Sequence, residues 1–203
     1  MLVMLLVLGV AAPALAQSGP SPRGYLTFGS TTLGASDTFE AVAGTDHDIG
    51  ISIGGSVVRV WRGVFADVAW SQQKITGQRV FVNQGTVYPL NIPLTVTIRP
   101  LDLAAGWRVQ SGRLSPYGGA GVSFLSYKET DPFATAGETV ETSHVGPVLM
   151  GGVDFAVWQW VHVGGEARYR HVSGILGDGG VSRSFGEDTL GGLSLAVRLS
   201  VGR

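Results

Sequence analysis

The feature that most constrains this chain is the alternation of its last fourteen residues, which begin at Leu190. The apolar parity consists of Leu193, Leu195, Val197, Leu199 and Val201. The polar parity consists of Ser194, Ala196, Arg198, Ser200 and Gly202. Because successive strand side chains point to opposite faces, the segment predicts a strand with one apolar face and one polar face.

The first sixteen residues are interpreted as a signal peptide. Residues 1–12 are an apolar run, and Ala14 and Ala16 are the small residues expected before a signal-peptidase site. The run is shorter than the roughly 20 apolar residues of a transmembrane helix. We therefore expect export with cleavage after Ala16, a short linker over residues 17–22 and a single domain over residues 23–203.

Composition narrows the function classes. The chain has 203 residues, no cysteine and a formal charge of −1. Without cysteine it has no disulfides, no thiolate metal site and no cysteine nucleophile. The near-neutral charge gives no reason to expect a nucleic-acid partner.

Period-two segments recur along the whole chain, whereas no stretch shows a convincing amphipathic helical period. Eight such segments lie near 23–33, 49–61, 63–76, 94–110, 113–128, 142–158, 160–173 and 187–202. Tight turns follow the second, fourth and sixth, and the other breaks, 34–48, 77–93, 129–141 and 174–186, are long and polar. Short periplasmic turns and longer external loops are typical of outer-membrane barrels. We predict an all-β fold, an eight-stranded antiparallel up-and-down transmembrane β-barrel with both termini periplasmic.

Three details of this pattern lead to further expectations. Residues 79–83 and 86–88 flank Gln84-Gly85, so this hairpin can extend beyond the membrane. Pro100 predicts a bulge, since proline cannot donate to a strand ladder. The pair Val57-Val58 breaks the alternation of its segment.

The polar parity carries balanced charges. They are Asp67, Asp102, Asp154 and Glu166 against Arg108, Arg168, Arg170 and Arg198. An eight-stranded barrel has an interior just wide enough for side chains, and an unpaired buried charge costs several kcal/mol. We therefore predict that these residues form a salt-bridged network in the lumen. A soluble periplasmic barrel is the alternative, but its apolar face would line the inside and its charges would scatter over the outside.

Aromatic residues occur near the predicted strand ends. Trp61, Trp158 and Trp160 lie at tight turns, and Trp70, Phe124 and Tyr169 lie toward the long loops. Outer-membrane barrels carry aromatic girdles at both membrane interfaces, so we expect these six side chains to face lipid headgroups.

The chain resembles the small eight-stranded outer-membrane barrels, which include the transmembrane domain of the outer membrane protein A type and the opacity-like, OmpX and OmpW types. The resemblance spans residues 23–203 and is carried by the segments 114–124, 151–155 and 164–169. The resemblance implies that outer membrane lipids and the barrel assembly machinery are partners and that no cofactor is bound. It also implies a structural or surface-interaction role, in which four external loops bind a ligand that the sequence does not identify. Proteins of this type usually end in Phe or Trp, whereas this sequence ends in Leu199-Ser-Val-Gly-Arg203.

Two alternative functions remain open. One is a narrow channel or transporter for small hydrophobic molecules. The other is an enzyme similar to the eight-stranded lipid A deacylases, which carry a His-x-Ser pair near the outer end of a strand and a downstream Glu. His171 and Ser173 match that pair and share a strand face, with Glu187 as the nearest downstream acid. Our primary expectation is a protein that is not an enzyme.

Two other short motifs are interpreted structurally. Gly118-Gly-Ala-Gly121 lies within a predicted strand rather than before a helix, so it lacks the context of a phosphate-binding loop. Asp46, His47 and Asp48 are adjacent in sequence, and no distant set of His or Asp residues is spaced to complete a metal site with them. We expect no metal.

Overall fold

The computed structural model describes residues 19–83, 86–130, 141–176 and 180–202. The predicted signal peptide (1–16) lies outside these residues, as do Gln17 and Ser18 of the predicted linker. The first strand begins at Ser21, inside the segment predicted as linker.

Within these ranges the chain forms nine strands and two short helices. Their order is β1 (Ser21–Thr32), α1 (Ser36–Ala43), β2 (His47–Trp61), β3 (Val64–Ser71), β4 (Gln73–Asn83), β5 (Thr86–Arg108), β6 (Leu114–Thr130), β7 (Glu141–Trp158), β8 (Val161–Val172), α2 (Gly180–Phe185) and β9 (Leu190–Gly202).

The strands close into a ring. All neighbouring strands are antiparallel, β1 pairs with both β2 and β9, and the pairing of β3 with β5 completes the circle. Strand β4 continues β3 past Gln72, because both pair with β5 in one register, from Trp70 opposite Leu101 to Gln73 opposite Ile98. The ring therefore has eight strand positions, and the predicted eight-stranded antiparallel up-and-down barrel is confirmed.

The two ends of the barrel differ. At the short-turn end, β2 and β3 are joined by Arg62 and Gly63, whose φ angles are 44° and 95°. Two-residue hairpin loops need positive φ to match the twist of the strands. The opposite end, which we call the long-loop end, carries α1, the β4–β5 hairpin and α2.

One expectation about the long loops is wrong and another is confirmed. Helices α1 and α2 occupy the first and fourth long breaks, which were expected to lack helices. Helix α1 has only eight residues, too few to show a helical period, and such short helices depend on tertiary packing. The second break, 77–93, is mostly strand: β4 and β5 pair up to Asn83 opposite Thr86, so the expected extended hairpin is confirmed.

Pro100 does not produce the expected bulge. The register between β5 and β6 is unbroken from Thr95 to Arg108. The missing N–H of Pro100 instead coincides with a break in the strand pairing on the other side of β5, at Gln72 between β3 and β4. The register shift in this hairpin falls between Gln78 and Val80, where Asn91 on the opposing strand has a φ of 56°.

The expected break in alternation falls just after Val57-Val58 rather than within the pair. Val57 is exposed on the outer face and Val58 is buried inside, and the register of β2 against β3 then shifts between Val57 and Trp61, where Arg59 has a φ of 58°. Both residues are apolar because Val58 joins a small interior cluster, which comprises Val58, Phe65, Ala104, Tyr117 and Met150.

The polarity of the two faces inverts along the barrel wall. From the short-turn end up to the outward row of Trp70, Leu101 and Phe124, the outer face is apolar and exposed while the inner face carries buried charges. Above that row the outer face is polar and the inner face becomes apolar. The outward residues there include Gln72, Lys74, Arg99, Ser126 and Lys128, and the buried inward residues include Ile75, Ile98, Leu125, Tyr127 and Val172. This inversion marks where the wall leaves the lipid.

Candidate functional site

The interior of the barrel holds the charged residues that the sequence pattern placed on its polar face. All eight are buried. Six of them, which we call the central charge network, are Asp67, Asp102, Glu166, Arg168, Arg170 and Arg198. They project from β3, β5, β8 and β9, so their contacts cross the interior rather than follow one strand.

Arg168 is the hub of the central charge network. Its Nη1 donates to Asp102 Oδ2 at 2.8 Å. Its Nη2 donates to Asp67 Oδ1 at 3.1 Å and to Glu166 Oε1 at 3.0 Å. One guanidinium thereby links three carboxylates, and charge-assisted bonds of this kind are the strong class of hydrogen bond.

The other two arginines complete the network. Arg170 donates from Nη2 to Asp102 Oδ2 at 2.7 Å and from Nε to Asp102 Oδ1 at 3.0 Å. Arg198 donates from Nη1 to Glu166 Oε2 at 2.5 Å, and its Nη2 lies 3.5 Å from Asp67 Oδ2. Three guanidinium groups therefore balance three carboxylates, and each carboxylate contacts two arginines.

The remaining two predicted charges pair with each other nearer the short-turn end. Arg108 Nη1 donates to Asp154 Oδ2 at 2.5 Å. A further arginine, Arg23, is buried there without having been predicted, and its Nε and Nη1 have no hydrogen-bond partner among the described residues. This end of the interior therefore carries more positive than negative charge.

Two tyrosines of the interior were missed by the sequence analysis. Tyr25 donates its hydroxyl to Asp67 Oδ1 at 2.8 Å, and Tyr117 donates to Glu166 Oε2 at 2.9 Å. The guanidinium of Arg198 lies 3.5 Å from the ring centroid of Tyr25, which adds a cation–π contact. Inward parity was a usable signal, since Tyr25 and Tyr117 alternate with exposed residues on their strands.

Above the charges, the long-loop end contains a second interior unit, which we call the apolar mouth cluster. It comprises Leu33, Ala35, Phe39, Ile75, Leu94, Val96, Ile98, Leu125, Tyr127, Val172, Ile175 and Leu190. Strand residues supply the wall of this cluster, and Phe39 of α1 is 2% exposed within it. Beyond the lipid-facing part of β6, burial and the carboxylate of Glu129 raise the pKa of Tyr127.

Helix α1 is tied to the fourth loop by Glu187. The backbone N–H groups of Asp37 and Thr38 donate to the Glu187 carboxylate at 3.1 and 2.8 Å, and the Thr38 hydroxyl donates to it at 2.7 Å. A carboxylate at a helix N-terminus satisfies backbone donors that have no partner within the helix. Glu187 therefore holds the first loop and the fourth loop together.

The candidate catalytic pair is only partly assembled. Ser173 Oγ lies 3.4 Å from His171 Nε2, and both residues are exposed on the outer face. Glu187, the acid expected to assist them, is bound to the N-terminus of α1 instead. The structure thus brings together a serine and a histidine, while Glu187, the expected third group, lies at the N-terminus of α1.

A small cavity of about 40 Å³ adjoins the central charge network, and Glu166, Arg168 and Arg170 are among the residues that line it. Its inward lining includes Thr27, Ser52, Ser71, Gln73, Arg170 and Ser194. This volume holds about three water molecules, well below the size of a ligand pocket.

The six predicted interface aromatics all lie on the outer face. Trp61, Trp158 and Trp160 are exposed at the short-turn end, and Trp70, Phe124 and Tyr169 are exposed in or beside the last apolar row before the inversion. The Trp61 ring packs edge-on against Trp107, with centroids 6.5 Å apart. Their two levels bracket the apolar outer band.

Other kinds of site receive no support from the described ranges. They hold no group of three or more His, Cys, Asp or Glu side chains that could bind a metal ion. Neither helix there is long and apolar enough to cross a membrane. The side chains of Asp46 and His47 contact each other at the start of β2.

Comparisons with known proteins agree with this architecture. A family model described as an outer membrane protein beta-barrel domain matches residues 2–198. No curated protein matches the sequence. A major outer membrane protein from Thermus thermophilus superposes with a TM-score of 0.57 at 10% identity, covering 91% of this chain and 99% of its own.

Two further solved structures are similar in fold. Neisserial surface protein A has a TM-score of 0.56 at 13% identity, covering 90% of this chain and 96% of its own. Ail, the attachment invasion locus protein of Yersinia pestis, solved with the heparin analogue sucrose octasulfate, has a TM-score of 0.53 at 12% identity. That match covers 91% of this chain and 99% of Ail.

Proposed function

Because the family match spans residues 2–198, this chain belongs to the outer membrane β-barrel family, and we propose that it serves as a closed barrel that presents surface loops. Its location is the outer membrane. The resemblance to small outer-membrane barrels inferred from the sequence is confirmed. The proposal concerns what the barrel does there, namely a structural or surface-interaction role without transport or catalysis.

The observation that carries the proposal is the central charge network. Its six side chains reach across the interior from four strands, and each is at least nine-tenths buried. Moving a solute through this layer would separate ion pairs in a water-poor space, where an orphaned charge is strongly unfavourable. The apolar mouth cluster adds a second barrier above it.

The alternative of a narrow channel for small hydrophobic molecules is tested by conductance and uptake. The purified protein in planar bilayers is expected to show no steady ion conductance at any voltage. A variant with Arg168→Ala and Arg170→Ala serves as the comparison, since it removes two of the three guanidinium groups. A stable open conductance in the unaltered protein would contradict the plug.

The described loops differ in what they offer to a surface role. The first and fourth loops are tied to each other through Glu187, whereas the tip of the β4–β5 hairpin carries exposed aromatic side chains. Phe81 and Tyr88 on this hairpin are 56% and 49% exposed, with ring centroids 6.5 Å apart. Exposed aromatic pairs are typical of binding surfaces, so we propose this hairpin as the contact site for the loop ligand.

The hairpin proposal is tested with intact cells that display the protein. Cells carrying Phe81→Ser and Tyr88→Ser should capture less of the proteins or glycans bound by unaltered cells. A matched control, Thr76→Ala, lies on the same hairpin nearer the barrel and should leave capture unchanged. If cells with Phe81→Ser and Tyr88→Ser capture as much as cells with Thr76→Ala, the hairpin is not the contact site.

We also propose that His171 and Ser173 do not form a deacylase site. The supporting observation is that α1 binds Glu187, so that the acid expected to orient His171 is bound elsewhere. Mass spectra of lipid A from expressing cells should match those from cells with Ser173→Ala. Loss of an acyl chain that depends on Ser173 would overturn this proposal.

A further inference from the structure

The two lysines of this chain lie in one row on the outer face. Lys74 of β4 is opposite Thr97 of β5, and Thr97 is opposite Lys128 of β6. Neighbouring strands lie about 4.8 Å apart, so the lysine backbones are about 10 Å apart. Two residues far apart in sequence are thus placed side by side by the register.

A third cation lies one row closer to the lipid. Arg99 of β5 is opposite Ser126 of β6, and its Nε donates to Gln72 Oε1 at 3.1 Å. Its guanidinium makes no ion pair with another described residue, nor does Lys74. Lys128 pairs with Glu141 at 3.0 Å, but both side chains are well exposed and such pairs are readily exchanged.

The level of these cations relative to the bilayer follows from the strand pattern. The outward face of β6 is free of charge from Leu114 to Phe124, a length that matches the roughly 9–11 residues of a tilted transmembrane strand. Each outward row beyond Phe124 rises about 5 Å along the membrane normal, given the strand rise and tilt. Arg99 and the lysine row therefore lie in the headgroup zone just outside the hydrocarbon.

Among the described residues, the other strands add no lysine or arginine to the rim. The outward residues near this level on those strands are Ser30, His47, Glu141, Ser143, His171 and Gly191, of which Glu141 is the partner of Lys128. The basic residues are therefore concentrated on one side of the barrel, spanning β4, β5 and β6. We call Lys74, Arg99 and Lys128 the basic rim patch.

We propose that the basic rim patch binds the phosphate groups of a phosphorylated glycolipid in the outer leaflet, a lipid of the lipid A class. Lysine and arginine are the residues that recognise phosphate, and cations next to an apolar membrane surface attract anionic headgroups. The apolar row of Trp70, Leu101 and Phe124 directly below would contact the acyl chains of the same lipid. The Thr97 and Ser126 hydroxyls between the cations suit the polar sugar. Short turns are periplasmic in such barrels, which places the patch in the outer leaflet.

The test uses the full-length mature protein in phosphatidylcholine nanodiscs, titrated with fluorescent bisphosphorylated lipid A. Replacing the three cations together (Lys74→Gln, Arg99→Gln and Lys128→Gln) should weaken binding by at least about tenfold, since each contact to an anionic headgroup contributes several-fold. The control Arg62→Gln with Arg113→Gln removes two exposed cations at the short-turn end and should bind as the unaltered protein does. Heat-dependent gel mobility verifies that each variant is folded.

Two further arms identify the chemistry. Dephosphorylated lipid A should bind the unaltered protein as weakly as bisphosphorylated lipid A binds the triple variant. Lys74→Arg with Lys128→Arg, which keeps the charge, should retain binding. The proposal is overturned if the triple variant binds normally, if removing the phosphates has no effect, or if phosphatidylglycerol binds as tightly as lipid A.

Discussion

The two zones of the barrel wall obey opposite rules. Below the row of Trp70, Leu101 and Phe124 the outer face is apolar and the inner face is charged. Above it, within a few residues of the same strands, Leu125 and Ile98 are buried inside while Arg99 and Lys128 lie outside. The lower zone is solvated by lipid and the upper zone by water, so each turns its apolar side chains in the direction that removes them from water.

The two zones are consequently stabilised by different interactions. The lower interior depends on buried ion pairs, matched three to three in the central charge network, where loss of one partner leaves a buried charge. The upper interior depends on apolar packing, where loss of side-chain volume leaves a cavity. Substitutions in the two zones should therefore differ in the size of their effect on stability and in the part of the molecule that they destabilise.

The largest effect is expected from Arg198→Ala. Arg198 is 1% exposed and contacts both Glu166 and Asp67. Its removal should lower the free energy of unfolding by about 3–5 kcal/mol, because the carboxylates lose a buried counter-charge. Urea-induced unfolding in lipid vesicles measures the change, with exposed Arg113→Ala as the control. An unfolding midpoint equal to that of the unaltered protein would contradict a salt-bridged interior.

Leu125→Ala probes the upper zone. The Leu125 side chain is 1% exposed within the apolar mouth cluster, and truncating a buried leucine costs about 3 kcal/mol. Because the strands remain fixed by the lower zone, we expect increased hydrogen exchange at the long-loop end. The outward neighbour Ser126→Ala should have little effect. A uniform loss of protection from hydrogen exchange over all eight strand positions of the ring would show that the two zones unfold as one unit.

The lower zone could be predicted from the sequence for a physical reason. Strand alternation has a fixed period of two, and lipid on one side demands an apolar face, so parity alone placed all eight charges inside. The partners within that set were not predictable, because Asp67 and Arg168 are 101 residues apart and meet only through the register of the ring. Tyr25 and Tyr117 were missed since aromatic residues were assigned to the interfaces.

The upper zone could not be predicted in the same way. Above the lipid the alternation persists but its polarity inverts, so Leu94, Val96 and Ile98 resemble a lipid-facing set although they point inward. Helix α1 has two turns and a single deeply buried aromatic, Phe39, too little for a periodic signal. Its cap, Glu187, is 149 residues away from Thr38 and was considered only as a candidate catalytic acid.

Glu187→Gln should have a smaller and more local effect than either core substitution. The neutral amide keeps one acceptor for the N-terminus of α1 but loses the charge that favours it, which costs about 1 kcal/mol. Limited proteolysis should cut within residues 36–43 several times faster, while the barrel unfolds at an unchanged midpoint. Asp188→Asn, at the exposed adjacent position, is the matched control. Unchanged proteolysis would mean that packing of Phe39 alone holds the helix in place.

The smallest effect is expected for the Lys128–Glu141 pair of the upper outer face. Like the pairs of the central charge network it joins a basic side chain to a carboxylate, but its side chains are 38% and 56% exposed. Solvent screening limits its coupling free energy to about 0.5 kcal/mol or less, against several kcal/mol for Arg198 with Glu166. Double-mutant cycles on both pairs, in the same vesicles and at two salt concentrations, measure the difference. Equal coupling free energies would mean that water reaches the lower interior, and the two zones would then not differ in solvation as their face polarity implies.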